Sequence, residues 1–339
     1  MKGQAGLALT LVLSMVAIGC STSTPTVASK VSPSPVPVAS QSAQPTNPSP
    51  HMVAIDWVRT QAIELPPGMR GGQSPDGSRF LSGGSVSTIG GDRIGDVLNR
   101  RIAWRWADDS RHLCAAYFDS PTPPADNSTR TPTGLYETLP GSAPVLIAQV
   151  GYLIGQSGPF MMGCSFRHGT ATVGESCVMA LCETWTVDLV SHRVLSHLTS
   201  FTLPGATSYP DGCVSPDGTL LAVSDFGSAV STIYRTSDGK LLTTLVGSRV
   251  IAFTADDRAI LVNHASGPAQ LLDVGGGLIA TLPGPEVQSA LAEPGGSRLA
   301  VALGSPFATS TGYPGPADLV VVGVDGQVRV LAQGVLPQF

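Results

Sequence analysis

The chain carries few charges and very few lysines. Only 13% of its 339 residues are Asp, Glu, Lys or Arg, and the formal net charge is −5. Lysine occurs at Lys2, Lys30 and Lys240 alone. Proteins that bind nucleic acid usually carry a basic stripe or patch that neutralises phosphates, and this sequence has none. We therefore expect no nucleic-acid partner.

Long apolar runs and helical spacing are also missing. The 39 glycines and 28 prolines interrupt the chain often. After residue 50 the apolar runs are short and rich in Val, Ile and Leu, a pattern typical of strands rather than amphipathic helices. The longest apolar stretch, residues 5–18, is too short to span a bilayer as a mature helix. These features predict an all-β domain.

Sequence signatures of common enzymes are absent as well. The chain contains no G-x-S-x-G, no H-E-x-x-H, no P-loop and no G-x-G-x-x-G. Cys177 and Cys182 are too far apart in sequence for a C-x2-C zinc pair. We therefore assign no catalytic residue, no metal ligand and no cofactor from the sequence, and leave open whether the chain is an enzyme.

What the sequence does contain is a recurring turn phrase followed by a small-residue apolar strand. The clear copies are Ser74-Pro75-Asp76-Gly77 and Ser215-Pro216-Asp217-Gly218. Weaker copies begin at Ala107, Ala255 and Pro294, and a degenerate one at Arg167. Aligned on the Asp position, the copies fall at residues 76, 108, 168, 217, 256 and 295. Pro, Asp and Gly each favour a tight β-turn, so each copy predicts a hairpin.

A second hairpin follows in the better-defined units, so each unit predicts a four-stranded meander, the blade of a β-propeller. The phrase resembles the blades of bacterial WD40-like and TolB-like propellers over about residues 52–339, although the G-H and W-D dipeptides of true WD40 blades are absent. Six copies predict six blades, with seven as the alternative. We expect residues 53–65 to close the ring against the C-terminal strands.

Paired acids occur at Asp108-Asp109 and Asp256-Asp257. Such pairs can act in acid–base catalysis. Here both pairs fall within the turn phrase, where Asp bonds back to the backbone. We therefore interpret all four carboxylates as turn-forming groups.

The N-terminus predicts export and lipidation. Lys2 precedes the apolar stretch, as in a signal peptide spanning residues 1–19. The stretch ends in Val16-Ala17-Ile18-Gly19-Cys20, which resembles the lipobox of bacterial lipoproteins. The resemblance implies cleavage before Cys20, attachment of a diacylglycerol to its thiol and a membrane anchor. Residues 20–50 are rich in Ser, Thr and Pro and predict a disordered tether before a propeller at residues 51–339.

Five cysteines remain for an exported domain, where disulfides are favoured. The candidates for a bond are Cys164, Cys177, Cys182 and Cys213: Cys164 with Cys213 between neighbouring blades, or with Cys177 or Cys182 within one blade. Cys114 is interpreted as a buried thiol. The loops at residues 120–132 and 305–316 are the candidate ligand contacts, with Phe307 and Tyr313 in the second.

Together these features predict a lipid-anchored binding or interaction module at the cell envelope. It would face outward from the cell membrane, or into the periplasm of a Gram-negative cell. Its partner would be an envelope protein, a small molecule or a glycan. The alternatives are a propeller enzyme, such as a lactonase or glycan-processing hydrolase, and a ligand-sensing domain. A channel lined by carboxylates would favour the enzyme. A channel lined by small residues would favour the binding module.

Overall fold

The computed structural model describes residues 50–67, 69, 71–97, 103–118, 130–154, 159–177, 180–201, 210–225, 230–284, 286–304 and 315–339. Every regular element of secondary structure in these ranges is a β-strand, which confirms the predicted all-β fold class. Within the same ranges no helix is found with the length and apolar character needed to cross a membrane.

The strands form six sheets, one for each blade of a propeller, and the four strands of each blade pair antiparallel. The strands of blades 1, 2 and 3 are β3 (Gly72–Gln73), β4 (Arg79–Ser82), β5 (Ser85–Thr88), β6 (Arg93–Asp96); β7 (Ala103–Trp106), β8 (Leu113–Phe118), β9 (Arg130–Thr138), β10 (Val145–Ile154); and β11 (Pro159–Ser165), β12 (Thr170–Cys177), β13 (Ala180–Asp188), β14 (Val194–Phe201). Those of blades 4, 5 and 6 are β15 (Pro210–Val214), β16 (Leu220–Asp225), β17 (Val230–Arg235), β18 (Leu241–Val246); β19 (Ser248–Phe253), β20 (Ala259–His264), β21 (Gln270–Asp273), β22 (Leu278–Thr281); and β23 (Val287–Ala292), β24 (Arg298–Leu303), β25 (Ala317–Gly323), β26 (Val328–Pro337). The prediction of six blades is confirmed, and the alternative of seven is wrong.

Continuous apolar runs suit these strands because each blade packs against a neighbour on both faces. Along β20, Leu261 packs toward blade 6, while Ile260 and Val262 pack toward blade 4. Successive side chains of a strand point to opposite faces, so a strand buried on both faces needs apolar residues at every position. The core therefore consists of apolar layers between blades.

The ring closes through β1 (Met52–Asp56) and β2 (Gln61–Glu64), as expected from residues 53–65. These strands extend the sheet of blade 6, with β1 parallel to the end of β26. The side chain of Gln73 in blade 1 completes the closure. Its Oε1 accepts from Ile55 N at 2.8 Å, and its Nε2 donates to Ile55 O at 2.6 Å. The N-terminal hairpin is thus bonded to the last blade and the first.

All six copies of the turn phrase connect the first and second strands of a blade, as predicted. We call the end of the propeller that carries these turns the turn face. The first strands, β3, β7, β11, β15, β19 and β23, surround a central channel that opens at this face. Any group on a turn is therefore close to the channel mouth.

Candidate functional site

The two clear copies of the turn phrase use their acid as predicted. In blade 1, Asp76 Oδ1 accepts from Ser74 Oγ at 2.8 Å and from Ser78 N at 2.9 Å. In blade 4, Asp217 Oδ1 accepts from Ser215 Oγ at 2.6 Å and from Thr219 N at 2.9 Å. Both carboxylates are engaged in forming their own turn.

The paired acids behave differently, and our interpretation is correct for one member of each pair only. Asp109 accepts from Arg111 N at 2.9 Å and Asp256 from Arg258 N at 3.3 Å, so these two form their turns. The bond to the residue two positions ahead makes Asp109, rather than Asp108, the equivalent of Asp76. The repeat position assigned to 108 is thus wrong by one residue.

Asp108 joins blade 2 to blade 3. Its carboxylate accepts from Ser165 Oγ at 2.6 Å and from Phe166 N at 2.7 Å, with Arg167 N at 3.3 Å from both oxygens. Blades 1 and 4 have proline at this turn position, which has no side-chain acceptor. The contact depends on a residue 57 positions away, so the local pattern gave no signal for it.

Ser110 and Asp257 occupy the turn position held by Gly77 and Gly218. Their φ angles are 58° and 59°, in the left-handed region that glycine adopts most easily. Each reaches back to the preceding blade. Ser110 Oγ accepts from Asp76 N at 2.8 Å, and Asp257 Oδ1 accepts from Asp217 N at 3.2 Å. One hydrogen bond thus recurs at two junctions, with a hydroxyl acceptor at the first and a carboxylate at the second.

Asp257 lies in a cluster of titratable groups from three blades. Burial raises the pKa of its carboxyl to about 6, and the charges of Asp217 and Asp256 add to the rise. His168 of blade 3 faces this carboxyl, with its Nε2 at 4.0 Å from Asp257 Oδ2, and its charge acts to lower the pKa of Asp257. Burial also acts on Asp217, but hydrogen bonds from Ser215 and Thr219 outweigh it and lower the pKa of that group. The two neighbouring aspartates therefore titrate in different pH ranges.

A cavity of about 420 Å³ occupies the channel at the turn face. Its wall is mostly small or apolar. Around the mouth, five turns contribute the residue directly before the position equivalent to Asp76: Pro75, Asp108, Pro216, Ala255 and Pro294. The lining also includes Trp104, Arg105, Trp106 and Phe339. The indole of Trp106 donates to Gly72 O at 3.1 Å and thereby ties blade 2 to blade 1.

The turn of blade 3 lies over this mouth. A Cβ placed on Gly295 of blade 6 would lie only 2.5 Å from Arg167 Nη1. Blades 3 and 6 stand opposite each other in a six-blade ring, so the Arg167 side chain crosses the axis. Gly295 has a φ of 62°, in the left-handed region that favours glycine.

The other end of blade 5 holds a polar cluster that sequence analysis missed. Ser248 Oγ lies 2.9 Å from His264 Nδ1, and His264 Nε2 lies 2.8 Å from Gln270 Oε1. The order resembles a nucleophile, a base and an orienting group. Ser248 is only 5% exposed, however, and pairs directly with His264 across two strands. This geometry stabilises the sheet and offers no access to a substrate.

The cysteine predictions require a correction. A disulfide joins Cys114 and Cys164, with Cα atoms 6.1 Å apart, and links blades 2 and 3. The interpretation of Cys114 as a thiol is wrong, as is each proposed partner of Cys164. Cys213 is a thiol. Cys164 packs toward blade 2 and Cys213 toward blade 5, so their side chains leave the sheets in opposite directions.

Several predicted sites lie outside the described residues. These are Cys20, Phe307 and Tyr313, and the side chains of Cys177 and Cys182, whose backbones lie in β12 and β13. Across the described part of the chain, no group of three or more His, Cys, Asp or Glu side chains is placed to hold a metal ion.

No protein family model matches this chain, and no curated protein matches it by sequence. Similar solved structures include an oligogalacturonate lyase in complex with manganese, with 14% identity, a TM-score of 0.47 and coverage of 73% of this chain and 77% of that one. A chain of a mitotic checkpoint complex has 11% identity, a TM-score of 0.47 and coverage of 92% and 90%. Hydrazine synthase of Kuenenia stuttgartiensis has 16% identity, a TM-score of 0.45 and coverage of 85% and 80%.

Proposed function

We propose that this chain is an exported, lipid-anchored β-propeller that binds a small ligand in the turn-face mouth of its channel. The observation that carries the proposal is the cavity of about 420 Å³ on the propeller axis. Small-molecule sites in proteins are typically concave and combine apolar surface with a few polar groups, and residues of both kinds line this cavity.

The chemistry of the wall favours binding over catalysis. Asp108, the carboxylate in the lining, is occupied by donors from blade 3. Catalysis by a nucleophile or a general base needs a reactive group within hydrogen-bond reach of the substrate. The aromatic side chains of the wall instead offer apolar surface and two indoles, which are groups that hold a ligand in place.

The envelope location rests on the N-terminal sequence. Cys20 follows the apolar stretch directly, and about thirty Ser-, Thr- and Pro-rich residues precede the propeller. As a loose coil such a tether would reach about 30 Å, which would let the propeller stand off the membrane surface. We also propose that the chain is related to WD40-like and TolB-like propellers, and the turn phrase is the feature that supports this relationship.

The anchor is tested by Cys20→Ala. We expect the variant to leave the membrane fraction, because one thiol carries all the attached lipid. The measurement is fractionation of expressing cells, followed by immunoblotting of membrane and soluble fractions. Ser21→Ala is the matched control and should stay with the membrane. Retention of Cys20→Ala in the membrane would refute the anchor and leave the channel site untouched.

The channel site is tested with a neutral aromatic probe, 2-naphthalenemethanol. We expect it to quench the fluorescence of the native protein, because Trp104 and Trp106 line the cavity. Ala290→Phe should abolish the quenching by filling the space with a phenyl ring. Ala290→Leu, a smaller change, should weaken it and serves as the second variant if the first unfolds. Equal quenching in the native and both filled proteins would refute binding in the channel.

A further inference from the structure

The Arg167 guanidinium at the channel mouth has no anionic partner among the described residues. No described carboxylate lies within 4.0 Å of it. It lies instead against the backbone of Gly295, in the turn whose Pro294 lines the cavity. A guanidinium offers five donors in a planar fork and remains charged at all physiological pH values. Its charge is therefore available at the entrance.

The aspartates around the mouth do not compensate this group by direct contact. Asp108 accepts from Ser165 and from the backbone of Phe166 and Arg167, so its oxygens are already satisfied. Asp217 is saturated by its own turn. Asp257 accepts from Asp217 N, and its other oxygen faces His168. The protein satisfies its own anions here and leaves a cationic fork over an open cavity.

Below the mouth the wall changes to apolar and aromatic surface. Trp104, Trp106 and Phe339 contribute aromatic side chains to this wall, and the two tryptophans also pack against Val86 and Leu113 between blades 1 and 2. Aromatic side chains bury large apolar area and prefer offset or edge contacts with other rings. A bound molecule would thus have an apolar, planar part inside and a charged part at the entrance.

We propose that the ligand of this channel is a small organic anion, with a carboxylate or similar group on Arg167 and a planar apolar body against the tryptophans. The inference rests on the proposed function, because it names the class of ligand for the same cavity. Arg–carboxylate pairs are often bidentate, which would fix the orientation of the molecule as well as its affinity.

The test compares 2-naphthoate with 2-naphthalenemethanol, a neutral molecule of nearly the same shape. Binding of both is measured by quenching of tryptophan fluorescence and by calorimetry. We expect the anion to bind the native protein about tenfold more tightly than the alcohol, a ratio equivalent to one charge-assisted contact. Arg167→Gln should reduce this ratio to about one while the affinity for the alcohol stays unchanged. The preference should also weaken at high salt.

Two controls keep the result specific. Arg93→Gln removes another exposed guanidinium, which pairs with Asp96 on the outer strand β6, and should keep the full preference. Arg167→Lys keeps the charge without the fork and should retain part of it. The backbone amide of Arg167, and not its side chain, contacts Asp108. We therefore expect Arg167→Gln to have the same unfolding temperature as the native protein.

The possible failures are distinct. Equal affinity for the alcohol and the anion in the native protein overturns the anionic ligand and leaves the channel site standing. A preference that survives Arg167→Gln overturns the role of this residue. If neither probe binds, both the ligand class and the proposed channel site are wrong.

Discussion

The junction between blades 1 and 2 and the junction between blades 4 and 5 use one hydrogen bond in two chemical forms. In both, the backbone of a turn aspartate donates to a side chain of the next blade at the left-handed position. The acceptor is Ser110 Oγ in the first case and Asp257 Oδ1 in the second. The hydroxyl is neutral at every pH, whereas burial raises the pKa of the carboxyl to about 6. Equivalent geometry therefore gives one pH-independent and one pH-sensitive junction.

The two regions differ in covalent support as well. The first half of the ring carries the Cys114–Cys164 disulfide, which closes a segment of 50 residues between blades 2 and 3. Asp108 reinforces the same junction. In blades 4 to 6 the described contacts between blades are apolar layers and hydrogen bonds. We therefore expect the second half to respond first to pH and the first half to reduction.

Removing the disulfide should have the largest effect. Cys114→Ala combined with Cys164→Ala is expected to lower the free energy of unfolding by about 4 kcal/mol, because closing a segment of this length restricts the unfolded chain. Denaturant unfolding of the native and double-variant proteins measures the loss. Cys213→Ala, which removes a thiol outside the disulfide, is the matched control and should cost far less. Equal losses in both variants would contradict the stated role of the disulfide.

Making the first junction resemble the second should have an intermediate effect. Ser110→Asp places a carboxylate beside Asp108 and Asp109, where burial and like charge oppose ionisation. We expect it to lower the free energy of unfolding by about 2 kcal/mol at pH 7.5 and to leave it nearly unchanged at pH 4. Ser110→Asn, a neutral residue tolerated at positive φ, is the control and should show no such pH dependence.

Making the second junction resemble the first should have the smallest effect. Asp257 binds its proton with a pKa of about 6 when folded and near 3.8 when unfolded. The protonated carboxyl of Asp257 therefore contributes its full stabilisation of the folded state below about pH 4. This contribution is lost as the pH rises through about 6. Asp257→Asn keeps an acceptor for Asp217 N without the charge. It should raise the free energy of unfolding by about 1 kcal/mol at pH 7.5 and leave it unchanged at pH 4.

The measurement is denaturant unfolding of native protein and Asp257→Asn across pH 4 to 8. Asp273→Asn is the control, since Asp273 accepts from Gly275 N in an outer turn of the same blade and its charge does not act on Asp257. It should not reproduce the pH-dependent difference seen with Asp257→Asn. If the free energies of unfolding of native protein and Asp257→Asn differ by the same amount at every pH in this range, the raised pKa of Asp257 is not the cause of the difference between the two junctions.

The fold was predictable because its signals are local. The turn phrase with Ser74 or Ser215 at its start forms its bonds within five residues, so each copy identified a hairpin on its own. Counting copies then gave six blades, and residues 53–65 were expected to close the ring, which β1 and β2 do. The candidate site was far less predictable. The loop residues chosen from sequence, Phe307 and Tyr313, are not among those described, and Arg167 was assigned only to a degenerate turn.

By itself the sequence determined the type of blade, the number of blades and the turn-forming role of Asp76 and Asp217, because these follow from bonds between near neighbours. The tertiary structure alone decided the partners of Asp108, Asp257, Cys114 and Arg167. Each of these four residues has its partner on another blade, more than 30 residues away in sequence. Contacts of that kind depend on how blades pack around the axis, and no short pattern of residues specifies that packing.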